Sequence, residues 1–132
     1  MSGRETGGYS LGRAGEELAA AFLKEQGFFI AARNYRYSIG EIDIIAENRE
    51  TVVFVEVKLR SERAGYAPRE AVTKDKRRRL ICAAKNYIYR SRTRLQPRFD
   101  VIEIVQKENS DLKNADVHWI QNAFGVTDHE FF

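Results

Sequence analysis

Gly40-Glu-Ile-Asp-Ile-Ile-Ala46 and Val52-Val-Phe-Val-Glu-Val-Lys58 are the two stretches whose reading decides the fold. Both alternate with period two, as strands with one buried face do. In the first, Glu41, Asp43 and Ile45 fall on one side and Ile42, Ile44 and Ala46 on the other. In the second, Val52, Phe54, Glu56 and Lys58 share a face opposite Val53, Val55, Val57 and Leu59. The connection Asn48-Arg-Glu50 is short enough to make the two strands antiparallel neighbours. Such a hairpin gathers two carboxylates and an ammonium, from Asp43, Glu56 and Lys58, where they could hold a hard divalent cation next to a phosphate. The plainer alternative is a cross-strand ion pair between Asp43 and Lys58 on a solvated sheet face.

Working outward, residues 28–37 read as a strand before the hairpin. Upstream, Leu11, Ala14, Leu18, Ala21, Phe22 and Leu23 recur at helical spacing over 11–26, and Gly27 supplies a stop. Residues 1–10 are Gly- and Ser-rich and are expected to form a disordered tail, with 11–132 as one domain. Downstream, 60–67 read as a loop, and Pro68 suits the entrance of a helix over 69–90. Val72, Leu80, Ile81, Ala84, Tyr87 and Ile88 form its inward face. Residues 98–106 make a fourth strand and 117–120 a short fifth. A strand, crossover helix and strand in succession set the fourth strand parallel to the third. The expected fold class is therefore α/β, a mixed sheet flanked by helices in the order α-β-β-β-α-β.

A chain of 132 residues with 43% hydrophobic content can build a single core without disulfides. The opening lacks an apolar leader segment and no later stretch has the length of a membrane span, so the expectation is a cytoplasmic protein with no membrane contact. Cys82 is the only cysteine, which excludes a disulfide framework and a cysteine-based zinc cluster. It reads as a buried helix position. The net charge is +3, yet residues 69–94 hold ten Lys or Arg against two acids, a local +8 that leaves −5 elsewhere. Charge concentrated in this way points to a polyanion, nucleic acid first and an anionic membrane surface second.

Gly12-Arg-Ala-Gly-Glu16, Gly40-Glu-Ile-Asp43, Phe54-Val-Glu-Val-Lys58 with Arg60, and Arg98-Phe-Asp100 together resemble the YraN-like family of small bacterial proteins. That family looks like a branch of the restriction-endonuclease-like superfamily and is similar to the archaeal Holliday junction resolvases. The resemblance implies a metal site in which Asp43 and Glu56 bind Mg²⁺ or Mn²⁺ and Lys58 is the active-site lysine. It also implies a further carboxylate at Glu16, while the Val57 carbonyl is a candidate additional ligand. The superfamily often has proline directly before the aspartate, where this chain has Ile42. Glu41 is read equally as a ligand or a bystander.

The implied activity is a Mg²⁺-dependent endonuclease acting on branched, flapped or single-stranded DNA in repair, recombination or DNA uptake. The alternative is a non-catalytic nucleic-acid-binding module with a degenerate metal site, and a third reading is an interaction protein. Lys74, Lys76, Arg78 and Arg60 are the candidate phosphate contacts. Arg77, Arg78 and Arg79 are spread about 100° apart around a helix, so they cannot all face one ligand. Tyr35, Tyr37, Tyr87 and Tyr89 are read either as stacking platforms for unpaired bases or as packing residues. His118 and His129 match no metal-ligand spacing. Asp100 is explained as well by a strand-end salt bridge as by function. A homodimer would suit the paired cuts a four-way junction needs, with Phe131-Phe132 as a candidate contact.

Overall fold

The alternation in the hairpin produces the centre of a five-stranded sheet with one helix on each face. The computed structural model describes residues 3–61, 73–107 and 110–124. Its elements are α1 (Gly3–Glu25), β1 (Phe29–Tyr37), β2 (Gly40–Glu47), β3 (Thr51–Ser61), α2 (Lys74–Ser91), β4 (Gln96–Gln106), a single 3-10 turn (Leu112–Asn114) and β5 (Asp116–Ile120). The strands lie side by side in sequence order. β3 and β4 are parallel, as the crossover through α2 requires, and the other neighbours are antiparallel. This is the mixed α/β arrangement of the restriction-endonuclease-like fold, with the short fifth strand in place.

The two strand faces feed two cores. On one, Ala19, Ala20 and Leu23 of α1 cover Ile44, Ala46, Val53, Val55, Ile102 and Ile104. On the other, Leu80, Ile81, Ala83 and Ala84 of α2 cover Ile45, Val52, Phe54 and Phe99. Full burial of a Leu, Ile or Phe side chain stabilises by about 1.5–3 kcal/mol, so these two layers hold the sheet. α1 ends as expected at Gly27, whose φ is 96°. Gly27 N–H bonds to the Lys24 carbonyl and Phe28 N–H to the Leu23 carbonyl, at 3.1 Å each. That pair of bonds closes the last turn.

Three differences from the sequence reading have physical reasons. α1 extends upstream of Leu11 to Gly3. Propensity argues against that extension, but lengthening an existing helix needs no new nucleus. α2 is described from Lys74, with Thr73 as its cap accepting the Lys76 N–H at 3.1 Å. The expected start at Arg69, residues 62–67 of the expected loop, Pro68 and Val72 lie outside the described residues, while Arg60 and Ser61, expected in that loop, complete β3 by pairing with β4. Ile42 packs with Ile45 under α2, not with Ile44 and Ala46 on the α1 side. The alternation breaks at Asp43, and that of β1 breaks between the same two ladder pairs, Arg33↔Ile44 and Tyr35↔Ile42, at Asn34, whose φ is 51°. Arg33 reaches Glu17 of α1, at 3.3 Å, whereas Tyr35 packs under α2.

Candidate metal and nucleic-acid site

β2 and β3 pair from Glu47↔Val52 to Ile44↔Val55, and the regular register stops there. Continued by two residues, it would set Ile42 opposite Val57 and give the Val57 N–H to the Ile42 carbonyl. Instead the Asp43 carboxylate accepts that N–H at 2.8 Å. The side chain thus enters the gap where the strands part. A strand residue directs its N–H and C=O to the same edge, so the Val57 carbonyl is aimed at this gap too. Asp43 and Lys58 form no ion pair among the described residues, and the plainer reading of that pair falls away.

The gap opens into a cleft of about 210 Å³ walled by Ile39, Glu41, Asp43, Glu56, Val57, Lys76, Arg79 and Leu80. The Asp43 and Glu56 carboxylates therefore share one cavity. Gly40, between the lining residues Ile39 and Glu41, lies against α2. A β-carbon there would stand 2.4 Å from the Arg79 carbonyl oxygen and 2.8 Å from the Ala83 nitrogen. Only glycine lets the hairpin approach the helix this closely.

Burial pushes the Asp43 carboxyl up to about 6. The Val57 hydrogen bond opposes this rise, and the charges of Glu16, Glu56 and Glu41 add to it. Glu56 is buried, its side chain 8% exposed, and its Oε2 lies 2.7 Å from the Lys76 ammonium. Glu16 acts on Asp43 electrostatically but belongs to a separate hollow with Gly12, Arg13, Glu17, Arg33, Asn34 and Arg36. It pairs with Arg33 at 4.0 Å. Glu41 lines both hollows and pairs with Arg36 at 3.3 Å.

Lys58 is half-buried on the Glu56 face of β3, outside the walls of the cleft. Arg60, two residues further along, contacts the buried Glu103 at 3.3 Å. Among the described residues no three Asp, Glu, His or Cys side chains form a ready ligand cage. The potential donor set along the cleft consists of the carboxylates of Glu41, Asp43 and Glu56 with the Val57 main chain beside them. It suits Mg²⁺, which binds through one or two carboxylates and keeps several waters. The excess negative charge felt by Asp43 is what a divalent cation would relieve.

The basic helix divides its charge. Lys76 and Arg79 turn into the cleft, while Lys74, Arg77, Arg78 and Lys85 border a second hollow of about 550 Å³ with Ile81 and Cys82. Cys82 is half-buried there, less enclosed than a core position. The sequence reading grouped Lys76 with Lys74 and so missed its place beside Glu56. The signal was available: Lys76 precedes the buried Leu80 by four residues and shares its helix face.

The remaining candidates separate clearly. Tyr35 and Tyr87 pack edge to face, with ring centroids 5.6 Å apart. The Tyr87 hydroxyl donates to Glu47 at 2.8 Å. Tyr89 and Tyr37 are exposed. Asp100 is buried and accepts bonds from Arg98, from Trp119 Nε1 and from the Asn122 N–H, which makes it a fastener of β4, β5 and the turn after β5. His118 is exposed. His129, Phe131 and Phe132 lie outside the described residues. No helix among the described residues is long and apolar enough to cross a membrane.

Comparison with known proteins agrees with the motif reading. The model of an uncharacterised protein family, UPF0102, matches residues 15–104, which takes in α1 from Gly15 to most of β4. A UPF0102 protein of Desulfosudis oleivorans is 43% identical over 114 residues, covering 86% of this chain and 88% of its own. One of Caldicellulosiruptor saccharolyticus is 43% identical over 116 residues, covering 86% and 96%. One of Chlorobium phaeobacteroides is 47% identical over 98 residues, covering 74% and 77%. With a family match across most of the fold and relatives this similar over most of their length, the chain belongs to the UPF0102, or YraN-like, family.

Proposed function

We propose that this protein is a metal-dependent endonuclease of the cytoplasm that cuts branched, flapped or single-stranded DNA. The observation that carries the reading is the cleft shared by Asp43 and Glu56 at the point where β2 and β3 part, with α2 as its rim. Asp43 and Glu56 would hold Mg²⁺ or Mn²⁺, with the Val57 carbonyl as a further oxygen donor and Glu16 and Glu41 adding negative charge from the side. When bound, such an ion supplies charge at the scissile phosphate and makes a coordinated water more acidic.

The protein's own groups do the rest. Val57 N–H fixes the Asp43 carboxylate in the gap, so one of its oxygens is oriented before any ligand arrives. Lys58 lies beyond Glu56 on the same strand face, where its ammonium can orient an attacking water or stabilise charge on the phosphate oxygens. Lys74 and Arg78, exposed on the flank of α2, supply phosphate contacts along the strand that enters. Four-way junctions require paired cuts, for which a second copy of the chain would be needed.

A second reading, a nucleic-acid-binding module with an idle metal site, is favoured by one observation. Lys76 already neutralises Glu56. The two readings part on incubating the purified chain with labelled linear, flapped and four-way-junction DNAs in Mg²⁺, Mn²⁺ or EDTA. Cleavage that requires metal and is lost in both Asp43→Asn and Glu56→Gln, with DNA binding retained, supports the nuclease. Binding without cleavage across the whole set selects the module, and equal cleavage by Asp43→Asn assigns the activity elsewhere.

A further inference from the structure

The ion pair between Lys76 and Glu56 joins a charge on the first turn of α2 to a carboxylate within the sheet. Glu56 is nearly enclosed, and its Oε2 meets the Lys76 Nζ at 2.7 Å. Among the described residues no other ion pair reaches it. Breaking an ion pair that is this enclosed leaves an uncompensated buried charge, so a cation that departs has to be replaced by another. The Lys76 side chain is itself 51% exposed, and it enters the cleft from the mouth. Its flexible four-carbon stem can withdraw to water without moving the helix. A divalent ion bound to the same oxygen would stand about 2 Å from it. The ammonium, at its present distance, would then face a dication at close range, and the two cations compete for that oxygen.

We propose that Lys76 is the resident counter-cation of the metal-free protein, occupying on Glu56 the position a divalent metal takes and leaving as the metal enters. The proposal rests on the metal-dependent reading above and goes beyond it in assigning to Lys76 control of metal loading. Lys76 is a positioning residue in this role. It keeps the Glu56 carboxylate paired and aimed into the cleft before metal arrives, and it sets how tightly metal is held. Once displaced, its ammonium lies at the mouth, where phosphates of an entering strand pass.

The test is Mn²⁺ binding to the DNA-free chain, read from the electron paramagnetic resonance signal of free Mn²⁺. Lys76→Met is expected to bind roughly tenfold more tightly than the unmodified protein, the order expected for removing one adjacent positive charge from a partly desolvated site. Glu56→Gln is expected to lose the binding. If the unmodified protein binds and Lys76→Met binds equally or more weakly, the role of Lys76 is overturned while the metal site stands. No binding by either overturns both.

Should Lys76→Met fail to fold with Glu56 unpartnered, the unmodified chain decides. Acetylation of Lys76, measured by peptide mass spectrometry against Lys74 on the same helix, is expected to accelerate several-fold when Mn²⁺ is added. An unchanged ratio of Lys76 to Lys74 labelling overturns the proposal.

Discussion

Asn34 and Asp43 lie between the same two rungs of the β1–β2 ladder, Arg33↔Ile44 and Tyr35↔Ile42, and each is the residue at which its own strand steps out of alternation. Asn34 does so with a left-handed backbone, which asparagine tolerates far better than a β-branched residue. The turn of the paired strands directs the Asp43 carboxylate into the gap beside β3 and not onto a sheet face. Asn34→Gly is therefore expected to change stability by less than about 1 kcal/mol, and Asn34→Val to cost about 1–3 kcal/mol. Urea unfolding measures both. Mn²⁺ binding by the valine variant is expected to fall, since Asp43 loses its aim.

The Asp43 carboxyl carries a pH signature. Its folded value of about 6 lies above the ordinary carboxylate range, so between about pH 4 and 6 the folded protein holds the proton more tightly than the unfolded chain. Stability contributed by this group therefore rises as pH falls through that window, and the cost of the ionised form is fully present above pH 6. Asp43→Asn, whose side-chain oxygen still accepts from Val57, is expected to be more stable at pH 7–8 by on the order of 1–3 kcal/mol. The gain should vanish below about pH 4. Thermal unfolding against pH checks this. Mg²⁺ should stabilise the unmodified protein and leave Asp43→Asn unmoved.

Gly40→Ala places a β-carbon against the backbone of α2, at 2.4 Å from the Arg79 carbonyl oxygen and 2.9 Å from the Ala83 Cβ. Backbone atoms within a helix cannot step aside, so the hairpin must lift. A loss of about 2–4 kcal/mol is expected, together with a widened cleft. Denaturant midpoints measure the first, and loss of the Mn²⁺ site would report the second.

Lys74 and Arg78 border the flank hollow of α2 and make no ion pair among the described residues. Replacing both by alanine is expected to weaken DNA binding alike for all sequences. The logarithmic salt dependence should flatten by about one unit for each phosphate that is no longer neutralised. Fluorescence anisotropy over a salt series decides it, and an unchanged slope removes this flank from the interface.

The fold was legible wherever the residues obey a regular period. Val52, Phe54 and Glu56 against Val53, Val55 and Val57 keep strict alternation, and β3 lies where that pattern puts it. Gly27 marked the end of α1 because its positive φ is a property of one residue type. Ile42 departs from that pattern because period two assumes an unbroken strand, and the break falls between the ladder pairs that flank Asn34 on the neighbouring strand. Sequence spacing within β2 cannot register a partner's backbone angle. Asp43 and Glu56 were legible as a pair for being close in sequence on adjoining strands. The place of Lys76 was legible only in part, because its spacing of four from Leu80 gives its helix face but not the depth of that turn against the sheet.

The parallel pairing of β3 with β4 has a consequence for how the protein comes into being. β1, β2 and β3 form by local hairpins, whereas β4 can join β3 only after the chain has passed through α2. Contacts distant in sequence form slowly. As the chain emerges from the ribosome, the three-strand meander, with Asp43 and Glu56 already side by side, precedes α2 in order of synthesis. During that interval two like charges adjoin with no lysine between them and with water still at hand to screen them. Enclosure of Glu56 is then a late event in the life of the nascent chain, timed by the arrival of the helix that brings its cation.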